Sequence, residues 1–130
     1  MFDTTDAKFV KKGWGFELWI HNDPRYCGKL LHFDEGKSCS LHYHKLKHET
    51  FYLESGVLEC RFASLDVLKM ADTIKLDYDD MNWFTMRAGD IKEIPPLLVH
   101  QMRAVGGPAR LFEFSTEHFD SDSYRIIKGD

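Results

Sequence analysis

The sequence predicts an all-β domain, an antiparallel sandwich or small barrel, and three observations predict it. The dominant hydrophobic period is two. Short β-rich runs recur at close spacing along most of the chain. Turn formers separate many of them, as in Asn22-Asp23-Pro24, Ser55-Gly56, Ala88-Gly89-Asp90 and Gly106-Gly107-Pro108.

Taken in order, the expected strands are Glu17–His21, Gly28–Phe33, Ser38–His44, Thr50–Glu54 and Val57–Phe62, then Thr73–Leu76, Trp83–Met86, Ile91–Ile94, His100–Arg103 and Arg110–Phe114. A short helix fits Leu65–Met70. Strands this short and this evenly spaced close into a sandwich or barrel. At 130 residues the chain makes one domain. Residues 1–16 read as an N-terminal arm and 117–130 as a C-terminal extension outside the core. The stretch Val57–Ala88 exceeds what a minimal barrel needs, which suits a lid or a partner surface.

Composition narrows the function. Seventeen Lys and Arg against 21 Asp and Glu leave a net charge of −4, so no general attraction draws the chain to nucleic acid or anionic lipid. Cys27, Cys39 and Cys60 are odd in number and lack CxxC spacing, so reduced thiols and a cytoplasmic location are expected. No apolar run follows the basic residues of the first segment, and none approaches the ~20 residues of a membrane span.

Two segments carry chemistry: Gly36–Gly56, spaced G-x5-H-x-H-x4-E-x6-G, and Gly89–His100, spaced G-x5-P-x4-H. His42 and His44 lie two apart in a strand, so both imidazoles project from one face. Glu49 shares a face with Phe51 and Leu53 on the returning strand, where a carboxylate without a cation is costly. His100 can add a further ligand. Three imidazoles and a carboxylate leave positions open on one divalent Zn, Mn, Fe or Ni ion, as catalysis requires. Ser40, Phe51 and Met102 share parity with the ligands and should line the pocket. His21, His32 and His118 are assigned no role, and His48 should face away. Trp14, Trp83, Phe112 and Phe114 suit a core or a dimer interface.

These two segments resemble the paired motifs of the cupin superfamily, with Gly36, His42, His44, Glu49, Gly56, Gly89, Pro95 and His100 at its fixed positions. Leu97 and Ala104 stand where that family has glycine and asparagine. The resemblance implies a small jelly-roll barrel, a double-stranded β-helix of two packed sheets, often dimeric, with the metal inside on His42, His44, Glu49 and His100. Lys11-Lys12-Gly13-Trp14-Gly15, Ser40–His44, Lys47-His48-Glu49 and Phe112-Glu113-Phe114 are further similar to type II phosphomannose isomerase domains.

That likeness implies a metal-dependent aldose–ketose isomerase acting on a sugar phosphate such as mannose 6-phosphate. The reaction moves a proton between C2 and C1 through an enediolate, whose charge a divalent ion stabilises. Lys47, Glu113 and His48 are the available bases. Lys45 and Lys47 are first candidates for the phosphate, with Lys29, Arg103 and Arg125 second. Two other classes stay open: a mononuclear Fe(II) dioxygenase, and a non-catalytic metal-containing sugar-binding protein. A homodimer is expected, since pairing covers exposed sheet edges.

Overall fold

The computed structural model describes residues 6–65 and 81–130. Eleven strands fill those ranges: β1 (Lys8–Lys12), β2 (Gly15–Asn22), β3 (Cys27–Phe33), β4 (Leu41–Tyr43), β5 (Glu49–Ser55), β6 (Val57–Ser64), β7 (Phe84–Arg87), β8 (Ile91–Ile94), β9 (Leu98–Ala104), β10 (Ala109–Ser115) and β11 (Tyr124–Ile127). They form a six-stranded sheet A, ordered β1-β2-β3-β10-β5-β8, and a five-stranded sheet B, ordered β11-β4-β9-β6-β7. Every pairing is antiparallel.

Alternation explains how the sheets face each other. In β3 the residues Cys27, Lys29, Leu31 and Phe33 are buried and those between are half-buried. In β5 Glu49, Phe51 and Leu53 turn inward while Tyr52 and Glu54 are exposed. The inward residues of both sheets meet in one core containing Trp14, Leu31, Phe33, Phe51, Leu53, Leu58, Met102 and Leu111. Trp14 stacks on Phe33 at 4.5 Å between ring centroids, which settles it as a core residue. The chain crosses from sheet A to sheet B at Gly56, whose φ of 82° lies in the left-handed region. A Cβ there would run into Ala109, so only glycine serves.

Several expectations are corrected. Lys8–Lys12, assigned to an arm, is the edge strand of sheet A, paired with β2 from Lys8↔Trp19 to Lys12↔Gly15. The C-terminal extension is not outside the barrel: β11 pairs with β4, and Ile126 and Ile127 pack against Leu41 and Val99. The run expected over Ser38–His44 contains only a three-residue strand, Leu41–Tyr43. The strand expected at Thr73–Leu76 and the helix beyond Leu65 fall outside the described residues. Among the described residues no helix is long and apolar enough to cross a membrane.

Candidate metal centre

Sheet B brings the histidines together. His42 in β4 is the register partner of His100 in β9, and His44 follows β4 on the same face as His42. One ring nitrogen from each lies within 4.8 Å of the others. Glu49, the first residue of β5, reaches them from sheet A: Oε1 lies 3.8 Å from His44 Nε2 and Oε2 3.5 Å from His100 Nε2.

Hydrogen bonding fixes the tautomers. His42 Nδ1 donates to the Ser40 carbonyl at 2.8 Å, His44 Nδ1 to that of Asp122 at 2.8 Å, and His100 Nδ1 to that of Leu98 at 2.9 Å. A carbonyl only accepts, so each Nδ1 carries the proton and each Nε2 presents a lone pair. Three lone pairs therefore converge beside Glu49, whose other oxygen, Oε1, meets Lys47. His100 Nε2 and Glu49 Oε2 are both buried without a hydrogen-bond partner. Buried orphans of this kind are rare and costly, and a cation bound by all four groups would satisfy them. The donor set fits a first-row divalent ion.

Burial sets the protonation. It pushes His42 down to about 3, with His100 adding to the effect. It takes His44 to about 3, helped by Lys47, and His100 to about 4. The imidazoles are thus neutral ligands at physiological pH, as metal binding needs. Burial, with Glu113 nearby, pushes Glu49 up to about 8.

Beside the histidines lies a buried ion cluster built on Lys47. Its Nζ donates to Glu49 Oε1 at 3.0 Å, Glu113 Oε2 at 2.8 Å and His118 Nδ1 at 2.9 Å. An ammonium has three N–H donors, and all three are used. Burial alone would lower its pKa, but Glu113 and Glu49 hold it above the usual lysine value. For Glu113, burial is likewise overcome, and Lys47 and Lys29 bring it down to about 2. Lys47 is therefore a fixed cation, neither a base near neutral pH nor a phosphate clamp with a donor to spare.

One residue outside every sequence motif holds this region in place. Asp122, 4% exposed, accepts hydrogen bonds through its carboxylate from the backbone N–H of Lys45 (2.9 Å), Leu46 (3.1 Å) and Lys47 (3.0 Å), while its carbonyl orients His44. The turn between His44 and Glu49 is thus fastened from the far end of the chain. Leu97, where the cupin pattern has glycine, takes φ 73° and donates its N–H to the His44 carbonyl at 2.7 Å. The left-handed turn is made without glycine, at the cost of backbone strain.

The other expected site residues divide. Ser40, Phe51 and Met102 line a cavity of about 870 Å3 that opens onto the histidines, and Glu113 lines it as well. Ser40 Oγ lies 3.1 Å from His42 Nδ1. Arg103 is not in it: one residue out of phase with His100 and Met102, it pairs with Glu59 at 2.6 Å and lies over Trp83. Lys45 is exposed, its ammonium over the Tyr124 ring at 4.4 Å. His48 faces away and pairs with Glu93 at 2.7 Å, as its parity requires. His118, assigned no role, lines the cavity, and its Nε2 donates to Asp120 at 2.9 Å. Phe112 is half-buried and Phe114 is 56% exposed on the outer face of sheet A.

No family model matches the sequence, and no curated protein matches it. Solved structures do match in fold. Capsular polysaccharide assembling protein CapF from Staphylococcus aureus aligns with a TM-score of 0.75 at 18% identity, over 95% of this chain and 35% of CapF. KdgF from Halomonas sp. aligns with a TM-score of 0.66 at 14% identity, over 90% of this chain and 92% of KdgF. The formate complex of oxalate decarboxylase from Lactobacillus farciminis aligns with a TM-score of 0.69 at 15% identity, over 93% of this chain and 34% of that enzyme. The chain thus spans about a third of the length of CapF. These neighbours are cupin-fold proteins. The protein has the cupin fold, and the barrel encloses a three-imidazole group able to hold a metal ion.

Proposed function

We propose that the protein is a metal-dependent aldose–ketose isomerase acting on a sugar phosphate such as mannose 6-phosphate. The observation that carries this reading is the convergence of three Nε2 lone pairs and Glu49 Oε2 beside a buried Lys47–Glu113 ion pair, at the base of a cationic cavity. His42, His44, His100 and Glu49 are the metal ligands. A divalent ion held there supplies Lewis acidity toward adjacent sugar oxygens.

The protein's own groups do the rest. Glu113 is an ionised carboxylate on the cavity wall and is the group we assign to carry the proton between C1 and C2; held near 2 by Lys47 and Lys29, it is a weak base until the bound ligand changes its surroundings. Lys47 keeps Glu113 charged and holds it and Glu49 at fixed separation, so it is a positioning residue. Ser40, Phe51 and Met102 shape the pocket around the reacting end. Seven Lys and Arg against five Asp and Glu line the cavity, in a chain whose net charge is −4. That local excess favours an anionic substrate. The neighbour named for capsular polysaccharide assembly is compatible with a sugar ligand, and oxalate decarboxylase with metal-site catalysis on an anion. Phe9, Tyr52 and Phe114, exposed on sheet A, support a homodimer, which light scattering at micromolar concentration tests.

The test is reconstitution with Zn, Mn, Fe and Ni separately, followed by a screen of aldose and ketose phosphates with and without oxygen. Turnover that is indifferent to oxygen and close to one metal per chain are expected. His44→Ala should lose the metal and stay folded, and Glu113→Gln should keep the metal and lose turnover. Oxygen consumption coupled to substrate loss would establish a dioxygenase instead. Ligand binding without turnover in every metal form would leave a binding protein.

A further inference from the structure

Lys29 contrasts with Lys47. It is 1% exposed, lies in β3 and faces the cavity. Its ammonium makes one hydrogen bond, to Glu17 Oε1 at 3.3 Å, and that oxygen already accepts from Trp19 Nε1 at 2.8 Å. Its Nζ also sits 4.2 Å from the centroid of the Trp19 ring. One of its three donors goes to Glu17 and the ring takes up a second direction, so its donor capacity is not filled by oxygen acceptors among the described residues. A buried ammonium in that condition is costly unless an anion completes it.

The register across sheet A places it in a row. Lys8 opposes Trp19, Trp19 opposes Lys29, Lys29 opposes Glu113 and Glu113 opposes Phe51. The Lys8 ammonium lies 4.5 Å from the same indole centroid. Strands in a sheet stand about 4.8 Å apart, so Lys29 and Trp19 are about 5 and about 10 Å along the sheet from the Glu113 position. A six-carbon sugar reacting beside Glu113 reaches that distance with its other end. The indole edge meets the His118 ring at 5.0 Å, which ties the row to the Lys47 cluster.

We propose that Lys29, with Trp19 and Lys8, forms a second subsite that binds the oxyanion of the ligand, a phosphate ester or a carboxylate, while the rest of the ligand faces the imidazoles. This rests on the isomerase reading for the reacting end only. The Trp19 ring holds the two ammoniums beside the cavity, and Lys29 gives the anion the donor capacity not used on Glu17 and the ring. Lys8, exposed at the sheet edge, adds charge. The phosphate contacts expected of Lys45 and Lys47 move to the N-terminal strands.

The experiment measures Kd by calorimetry on metal-loaded protein for mannose, mannose 6-phosphate, mannuronate and inorganic phosphate, with metal content as a control. The intact protein should bind mannose 6-phosphate or mannuronate at least tenfold more tightly than mannose, and the tighter of the two identifies the oxyanion. Lys29→Met should abolish that ratio with metal content unchanged, and Lys8→Gln should reduce it two- to fivefold. If Lys29→Met does not fold, Lys8→Gln and the inorganic phosphate titration decide. An unchanged ratio in the folded variants, or no preference for either anion in the intact protein, overturns the subsite. Absence of isomerase turnover with a Lys29-dependent anion preference would reject only the reaction. Turnover whose KM ignores Lys29→Met would reject only the subsite.

Discussion

Replacing Asp122 with alanine removes the acceptor of three backbone N–H groups in the turn that carries Lys47 and separates His44 from Glu49. The cost can be worked from where those groups sit. Lys45 and Leu46 are exposed, so water replaces the carboxylate and each loss is about 0.5 kcal/mol. Lys47 is 3% exposed, so its N–H becomes a buried orphan at about 2 kcal/mol. The total, about 3 kcal/mol, lowers the Tm of a domain this size by roughly 10 °C. The Asp122 carbonyl survives the substitution, but the turn it belongs to loosens, and outer-shell losses of this kind weaken metal affinity by about 10- to 100-fold. Thermal melts of the metal-free protein and competition with a chromogenic chelator give the two numbers. Asp122→Asn keeps one acceptor oxygen and should fall between. If Asp122→Ala melts within 2 °C of the parent and binds metal equally well, the turn holds without its carboxylate and the reasoning is wrong.

Leu97→Gly should stabilise the protein by about 1 kcal/mol, because the left-handed φ of 73° strains any side chain; a lower Tm would show that Leu97 is unstrained. The metal-free protein should weaken as pH falls below about 6.5. There the unfolded chain protonates three imidazoles that the folded state keeps neutral, with pKa values of about 3 to 4. Glu49, held up to about 8, acts oppositely, since the folded state binds its proton above 4.5. Three protons against one leave a net uptake of about two on unfolding near pH 5.5, a slope of roughly 2.7 kcal/mol per pH unit. Below 4.5, Glu113, held near 2, adds loss of the same sign. Urea midpoints that stay flat between pH 7 and 5 would contradict this.

What the sequence disclosed and what it hid follow from the range of the interactions. Parity along a strand is a local property, so His42, His44, Glu49 and His100 could be read as facing inward, and the register of His42 with His100 agrees. The same parity moves His48 outward and, applied strictly, moves Arg103 outward too. Lys47, expected as a base or a phosphate contact, is instead tied up in the ion cluster, and nothing in Lys45-Leu46-Lys47 tells which lysine meets a carboxylate 66 residues away. His118 and Asp122 lie in a polar segment with no periodicity, and their partners are fixed only when β11 docks on β4. One aromatic and two β-branched residues in Tyr124-Arg125-Ile126-Ile127 are a strand signal that the acidic flank conceals.

Because Asp122 stands 78 positions after His44, that ring waits for chain made much later to be oriented. During synthesis His42, His44 and Glu49 emerge early, yet the turn joining them is unclamped until residue 122 has left the ribosome and settled against β4. A metal ion held by the complete group would meet it in final form only once residue 122 has docked.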